Sequence, residues 1–160
     1  MTWLGVDLGE ARVGLAMSDP ELCLAHPEGN IEAGGDYFRV LDEVVDFIAD
    51  HDDIDCVVVG LPLLLNGQEG KSAKKARRWV ANLVKRLSIA SQDESYGLVQ
   101  VPRVVMEDER LSTVSAHHQL SAARVSSRSH RPVVDQQSAV VILQGALDRH
   151  QVPEDGEISE

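Results

Sequence analysis

Three groups of carboxylates stand where this chain could do chemistry. Asp7 stands at the end of the expected first strand, in Val6-Asp7-Leu8-Gly9, with Arg12 and Gly14 just beyond it. A carboxylate among apolar neighbours on a central strand is costly to bury unless it is paired or bound to a cation. The plainer alternative is an Asp that caps a turn. Glu107-Asp108-Glu109-Arg110 follows the apolar run Val104 to Met106. Three consecutive carboxylates repel one another, and a divalent cation would offset that repulsion; a charged strand terminus in solvent is the other reading. Side chains alternate along a strand, so Asp108 and Glu109 are expected on opposite faces, and only one of them would reach a site near Asp7. Asp135 follows Pro132-Val133-Val134 in the expected first turn of the last helix, where the helix N-terminus would stabilise a carboxylate without any ligand.

The elements that must position these groups follow from hydrophobic period and turn residues. Thr2 to Asp7 and Arg12 to Ser18 read as two antiparallel strands joined by a tight turn, and Cys23 to His26 as a short third strand ending before Pro27. From Asp36 to His51 the period changes. Tyr37, Val40, Leu41, Val44, Val45, Phe47 and Ile48 recur at three and four residues and predict an amphipathic helix. Asp55 to Gly60, with three consecutive valines, predicts a strand buried on both faces. Leu61 to Gly70 reads as a loop, and Gln68 to Leu87 as a helix with Ala76, Val80, Leu83, Val84 and Leu87 inward. Val99 to Met106 predicts a fifth strand with Pro102 at an edge, and Ser112 or Thr113 caps a short helix to about Arg124. Ala122 to Arg131 reads as a loop and Val134 to His150 as a final helix. Hairpin strands followed by alternating helices and strands give an α/β fold with a five-stranded mixed sheet and helices on both faces. Residues 1–150 are expected to form one domain and residues 151–160 an acidic, frayed tail.

Charge at first argues against a polyanionic partner, because 15 Lys+Arg face 26 Asp+Glu for a net charge of -11. The distribution removes that objection. Residues 1–55 hold 14 acids against Arg12 and Arg39 alone, whereas Lys71, Lys74, Lys75, Arg77, Arg78, Lys85 and Arg86 form a basic run with no acid among them. That helix is a candidate phosphate-binding surface, with a solvated helix face as its plainer use. Cys23 and Cys56 are isolated and read as buried thiols of a reducing compartment. No export signal or membrane span is visible, and the cytoplasm is expected.

Four segments, in order, carry a resemblance. Leu4 to Asp19 (LGVDLGEARVGLAMSD), Val57 to Gly70 (VVVGLPLLLNGQEG), Asp108 to Thr113 (DERLST) and Val134 to Leu147 (VDQQSAVVILQGAL) together resemble the YqgF/RuvX family. Its members have an RNase H-like fold, are described as Holliday-junction resolvases, and are associated with maturation of precursor 16S ribosomal RNA. The resemblance implies a metal-dependent nuclease in which Asp7, Glu109 in preference to Asp108, and Asp135 hold Mg2+ or Mn2+. It implies that one cation activates water while another stabilises the leaving oxygen. Arg12 and Arg110 would then orient the scissile phosphate, and Arg128 and Arg131, in the segment before Asp135, would add to the nucleic-acid surface of Lys71, Lys74, Lys75 and Arg78. The chain departs from many RNase H-like nucleases at Gly60-Leu61-Pro62, which lacks a strand-end Glu, and at Ser138, three residues after Asp135. The expected substrate is precursor rRNA or branched DNA, with ribosomal particles as possible partners and a monomer or homodimer as the acting unit. A non-catalytic RNA-binding or ribosome-associated factor is the alternative class.

Overall fold

The computed structural model describes residues 1–109 and 127–151. Strand β1 (Thr2–Leu8) pairs antiparallel with β2 (Arg12–Ser18), and β2 pairs antiparallel with β3 (Ala25–Glu32). On its other side β1 pairs parallel with β4 (Ile54–Leu61), which pairs parallel with β5 (Arg103–Asp108). The result is a five-stranded mixed sheet in the order β3-β2-β1-β4-β5. Both strands in contact with β1 carry near-continuous apolar runs, as suits a sheet covered on two faces.

Strand alternation sorts the core into two layers. Leu4, Val6, Val57 and Val59 face helices α1 (Leu41–Ala49) and α2 (Lys71–Ser91), whose Val44, Ile48, Leu83 and Leu87 complete that layer. Trp3, Cys56 and Val58 face the opposite way, onto Ala139, Ile142, Leu143 and Leu147 of α3 (Ser127–Gln151). The fit of α3 to the sheet is close because Gly5 has no side chain. A Cβ there would lie 2.7 Å from Leu143 Cβ and 3.1 Å from the Ala139 carbonyl oxygen. Gln144 fastens the same helix to the start of β3, accepting from Ala25 N at 2.9 Å and donating to Cys23 O at 2.8 Å.

Several element boundaries differ from the sequence expectation. β3 runs from Ala25 through Pro27 to Glu32, because at a sheet edge a proline need not donate to a ladder. Leu15 pairs with Gly29 and Ala16 with Pro27, so Glu28 is an extra residue in a bulge, and Gly29 takes φ 124°. The first helix opens as a 3-10 turn (Tyr37–Val40), with the Asp36 carboxylate accepting from Phe38 N at 3.1 Å. α2 starts after Gly70 and continues to Ser91, burying Ala90 in its last turn. Its inward face also includes Trp79, fully buried and donating from Nε1 to Tyr37 O at 2.9 Å, whereas Val84 points outward. β5 begins only at Arg103, with Val99 and Val101 exposed before it. α3 starts at Ser127, so the expected loop from Ala122 to Arg131 is helical from Ser127 onward. Cys56 is buried as expected, but Cys23 is exposed. The predicted helix from Ser112 to Arg124 and the tail after Gln151 lie outside the described residues.

Candidate active site

The carboxyl ends of β1, β4 and β5 lie side by side. Asp7 is one residue past the Val6–Val59 pair, and Gly60 pairs with Glu107, so Asp7, Gly60 and Glu107 end three adjacent strands at nearly one level. On the other side, Asp7 pairs with Gly14 of β2. Asp7 thus has a glycine beside it on each neighbouring strand. Alternation places Asp7 on the face of Trp3, which is the α3 face.

Glu109 lies against one of these glycines. A Cβ on Gly60 would run into the Glu109 carboxylate, and it would lie 2.8 Å from Glu109 Cγ and 2.7 Å from Ile142 Cδ1. The Glu109 side chain therefore lies over Gly60 beside α3, on the face that carries Asp7. Burial, and then the negative charge of Asp108, push the Glu109 carboxyl above the usual carboxylate range. Asp108, which shares strand parity with Met106, belongs to the α1/α2 face. Glu107 pairs instead with Arg149 of α3.

The third acid is placed by its backbone. Trp3 contacts the ring of His150 at 5.0 Å between centroids, while Gly5 lies against Ala139 and Leu143. α3 therefore runs antiparallel to β1, and going toward its N-terminus leads to the end of β1 that bears Asp7. Asp135 is four residues, one helical turn, before Ala139. It lies in the interior of α3, eight residues after Ser127, and not in a first turn where the helix end alone would account for it.

The basic residues divide into two groups. Arg12 pairs with Glu32 at 3.7 Å. On α2, Lys75 binds Glu10, Arg77 binds Glu69 at 2.6 Å, and Arg86 binds Asp42. Arg78 stands 6.0 Å from the centre of the Phe38 ring. Lys71, Lys74, Arg78 and Lys85 are exposed. The N-terminal turns of α2 lie at the carboxylate end of the sheet, since Lys75 reaches the turn that follows Asp7. Arg128 and Arg131 fall in α3, and Arg110 lies outside the described residues. The sequence reading missed the flanking role of Gly14 and Gly60. Both stand in the quoted motifs, but their use depends on strand register.

Carboxylate oxygens are the donors that a hard divalent cation takes. Asp7 and Glu109 share the face, and Glu109 is a half-buried carboxyl whose ionisation a cation would favour. These features define an RNase H-like protein with acids at the carboxyl ends of its central strands. The same fold is found in T. thermophilus RuvC in complex with Holliday junction substrate, at a TM-score of 0.54 and 14% identity over 96% of this chain and 97% of that one. The fowlpox virus Holliday junction resolvase gives a TM-score of 0.52 at 8% identity, covering 93% and 99%. The family model described as RuvX, Holliday junction resolvase, matches residues 1–149, and the chain belongs to this family. A relative from Bifidobacterium adolescentis, named "Putative pre-16S rRNA nuclease", is 68% identical over 93% of this chain and 98% of its own. A Streptomyces coelicolor protein of the same name is 40% identical over 93% and 81%.

Proposed function

We propose that this protein is a divalent-metal-dependent nuclease that hydrolyses phosphodiester bonds in structured nucleic acid and processes precursor 16S rRNA. The observation that carries this reading is Glu109 lying over Gly60 on the face of Asp7, at the sheet end to which the N-terminal half of α3 leads. The names of the relatives support the substrate. Asp7, Glu109 and Asp135 would hold Mg2+ or Mn2+. When bound, the cation would supply an activated water and charge neutralisation at the scissile phosphate. The chain's own part is to set Asp7 between two glycines, to hold Glu109 over Gly60, and to meet the phosphate backbone with Lys71, Lys74 and Arg78. Arg12 stands at the far end of the turn from Asp7, where it can orient a phosphate. Arg110, Arg128 and Arg131 extend the same surface in this reading. Residues 1–150 act as one nuclease domain.

Among the described residues no helix is long and apolar enough to cross a membrane. We place the activity in the cytoplasm, on ribosomal precursor particles. The family description favours branched DNA as a second substrate. The test is cutting of a precursor 16S rRNA transcript and of a four-way DNA junction with Mg2+ or Mn2+, by wild type and by Asp7→Asn, Glu109→Gln and Asp135→Asn. Selective cutting of the transcript, lost in all three variants with binding retained, is expected. Preference for the junction would move the substrate to DNA. Binding without cutting of either would make the protein an RNA-binding factor. The molecular mass in solution, with and without the junction, separates a monomer from a homodimer.

A further inference from the structure

Lys75 is set apart from the other bases of α2 by what it touches. Its ammonium donates to both carboxylate oxygens of Glu10, at 2.9 and 3.1 Å, and lies 4.6 Å from the centre of the Tyr37 ring. Tyr37 is itself immobilised: it is buried, and its carbonyl accepts from the indole of Trp79. Its phenol is raised to about 12, by burial first and then by the charge of Glu10. Glu10 belongs to the turn between Leu8 and Arg12, the two strand ends beside Asp7. The backbone of that turn is fastened on one side, with Gly35 N donating to Glu10 O at 2.8 Å and Ala33 N donating to Ala11 O at 2.9 Å. At Gly9 the turn closes so tightly that a Cβ would stand 2.6 Å from Arg12 O.

We infer that Lys75 is a positioning residue for the nuclease site: by holding Glu10 it fixes the β1–β2 turn, and through the turn the placement of Asp7 and Arg12. This rests on the function proposed above. Energy alone does not explain the pair, since a half-exposed ion pair contributes little to stability. Geometry does. A lysine engaged by two carboxylate oxygens and an aromatic face joins the helix that bears Lys71 and Lys74 to the turn that follows the strand bearing Asp7. Misplacement of a catalytic group by about 1 Å costs up to about a hundredfold in rate.

The experiment compares Lys75→Met, Lys75→Arg and Glu10→Gln with Lys74→Met. It measures kcat and KM on the precursor transcript, the salt dependence of binding, and amide hydrogen exchange in residues 9–12. Lys75→Met and Glu10→Gln are expected to lower kcat about tenfold at unchanged KM and salt slope, and to speed exchange in the turn by a similar factor. Lys75→Arg is expected to restore both. Lys74→Met is expected to raise KM and flatten the salt slope. If Lys75→Met behaves like Lys74→Met, Lys75 is a phosphate contact and the inference is overturned. Unchanged exchange in both Lys75→Met and Glu10→Gln overturns it as well. Should wild type cut no nucleic acid, the proposed function fails, while the exchange measurement still decides whether Lys75 fixes the turn.

Discussion

Glu109 occupies the space that a side chain on Gly60 would need. The would-be Cβ meets its carboxylate and approaches Ile142 as well. Ile142 of α3 is buried in the core, so in a Gly60→Ala variant the acid must give way. Such overpacking costs about 1–3 kcal/mol. Thermal unfolding should register that loss, and the cutting rate should fall by at least about tenfold because Glu109 leaves the Asp7 face. Full activity in Gly60→Ala would show that the position of Glu109 is immaterial.

The two neighbouring acids should separate cleanly. Glu109→Gln is expected to reduce kcat about a hundredfold or more, the scale for losing one oriented electrostatic group. Asp108→Asn, on the other face of the sheet, should stay within about threefold of wild type by the same scale. Steady-state rates on one transcript suffice, and equal losses in both variants would contradict the assignment by face.

On α2 the structure separates bases that face solvent from bases already bound. Lys71→Ala and Lys74→Ala should each lower the slope of log affinity against log salt by about one. Arg86→Ala, whose guanidinium is engaged by Asp42 at the far end of the helix, should leave the slope alone. A salt titration of binding checks all three, and a slope insensitive to Lys71 and Lys74 would return the helix to an ordinary solvated face.

The two cysteines differ in a way that a thiol reagent reads directly. Burial raises the Cys56 thiol to about 11, so at neutral pH it is protonated as well as shielded, whereas Cys23 is exposed. One equivalent of reagent should react with the native protein and two after unfolding in denaturant. Rapid reaction of both in the native state would mean that β4 is not packed under α3 as described.

Much of the fold was legible because hydrophobic period carries it. β1, β2, β4 and α1 each show their period within a few residues, and Asp7 stood out as a carboxylate in an apolar run. What stayed hidden depends on partners distant in sequence. Trp79 sits within a basic run and shows no sign of its buried bond to Tyr37. Which face of the sheet Asp108 and Glu109 each take depends on the parity of β5 and the absence of a side chain on Gly60. The start of α3 was missed because Ser127 to Arg131 has no apolar repeat. Lys75 looked like its neighbours until Glu10 was found against it.

The edge strand β3 has a bearing on how the molecule survives in a crowded solution. Its Pro27 lacks an amide donor, Glu28 bulges out of register, Gly29 turns the chain through φ 124°, and Glu32 adds a second charge near its end. A strand so interrupted offers no continuous ladder for another chain to extend. Along this border the sheet resists fibril growth without needing a cover.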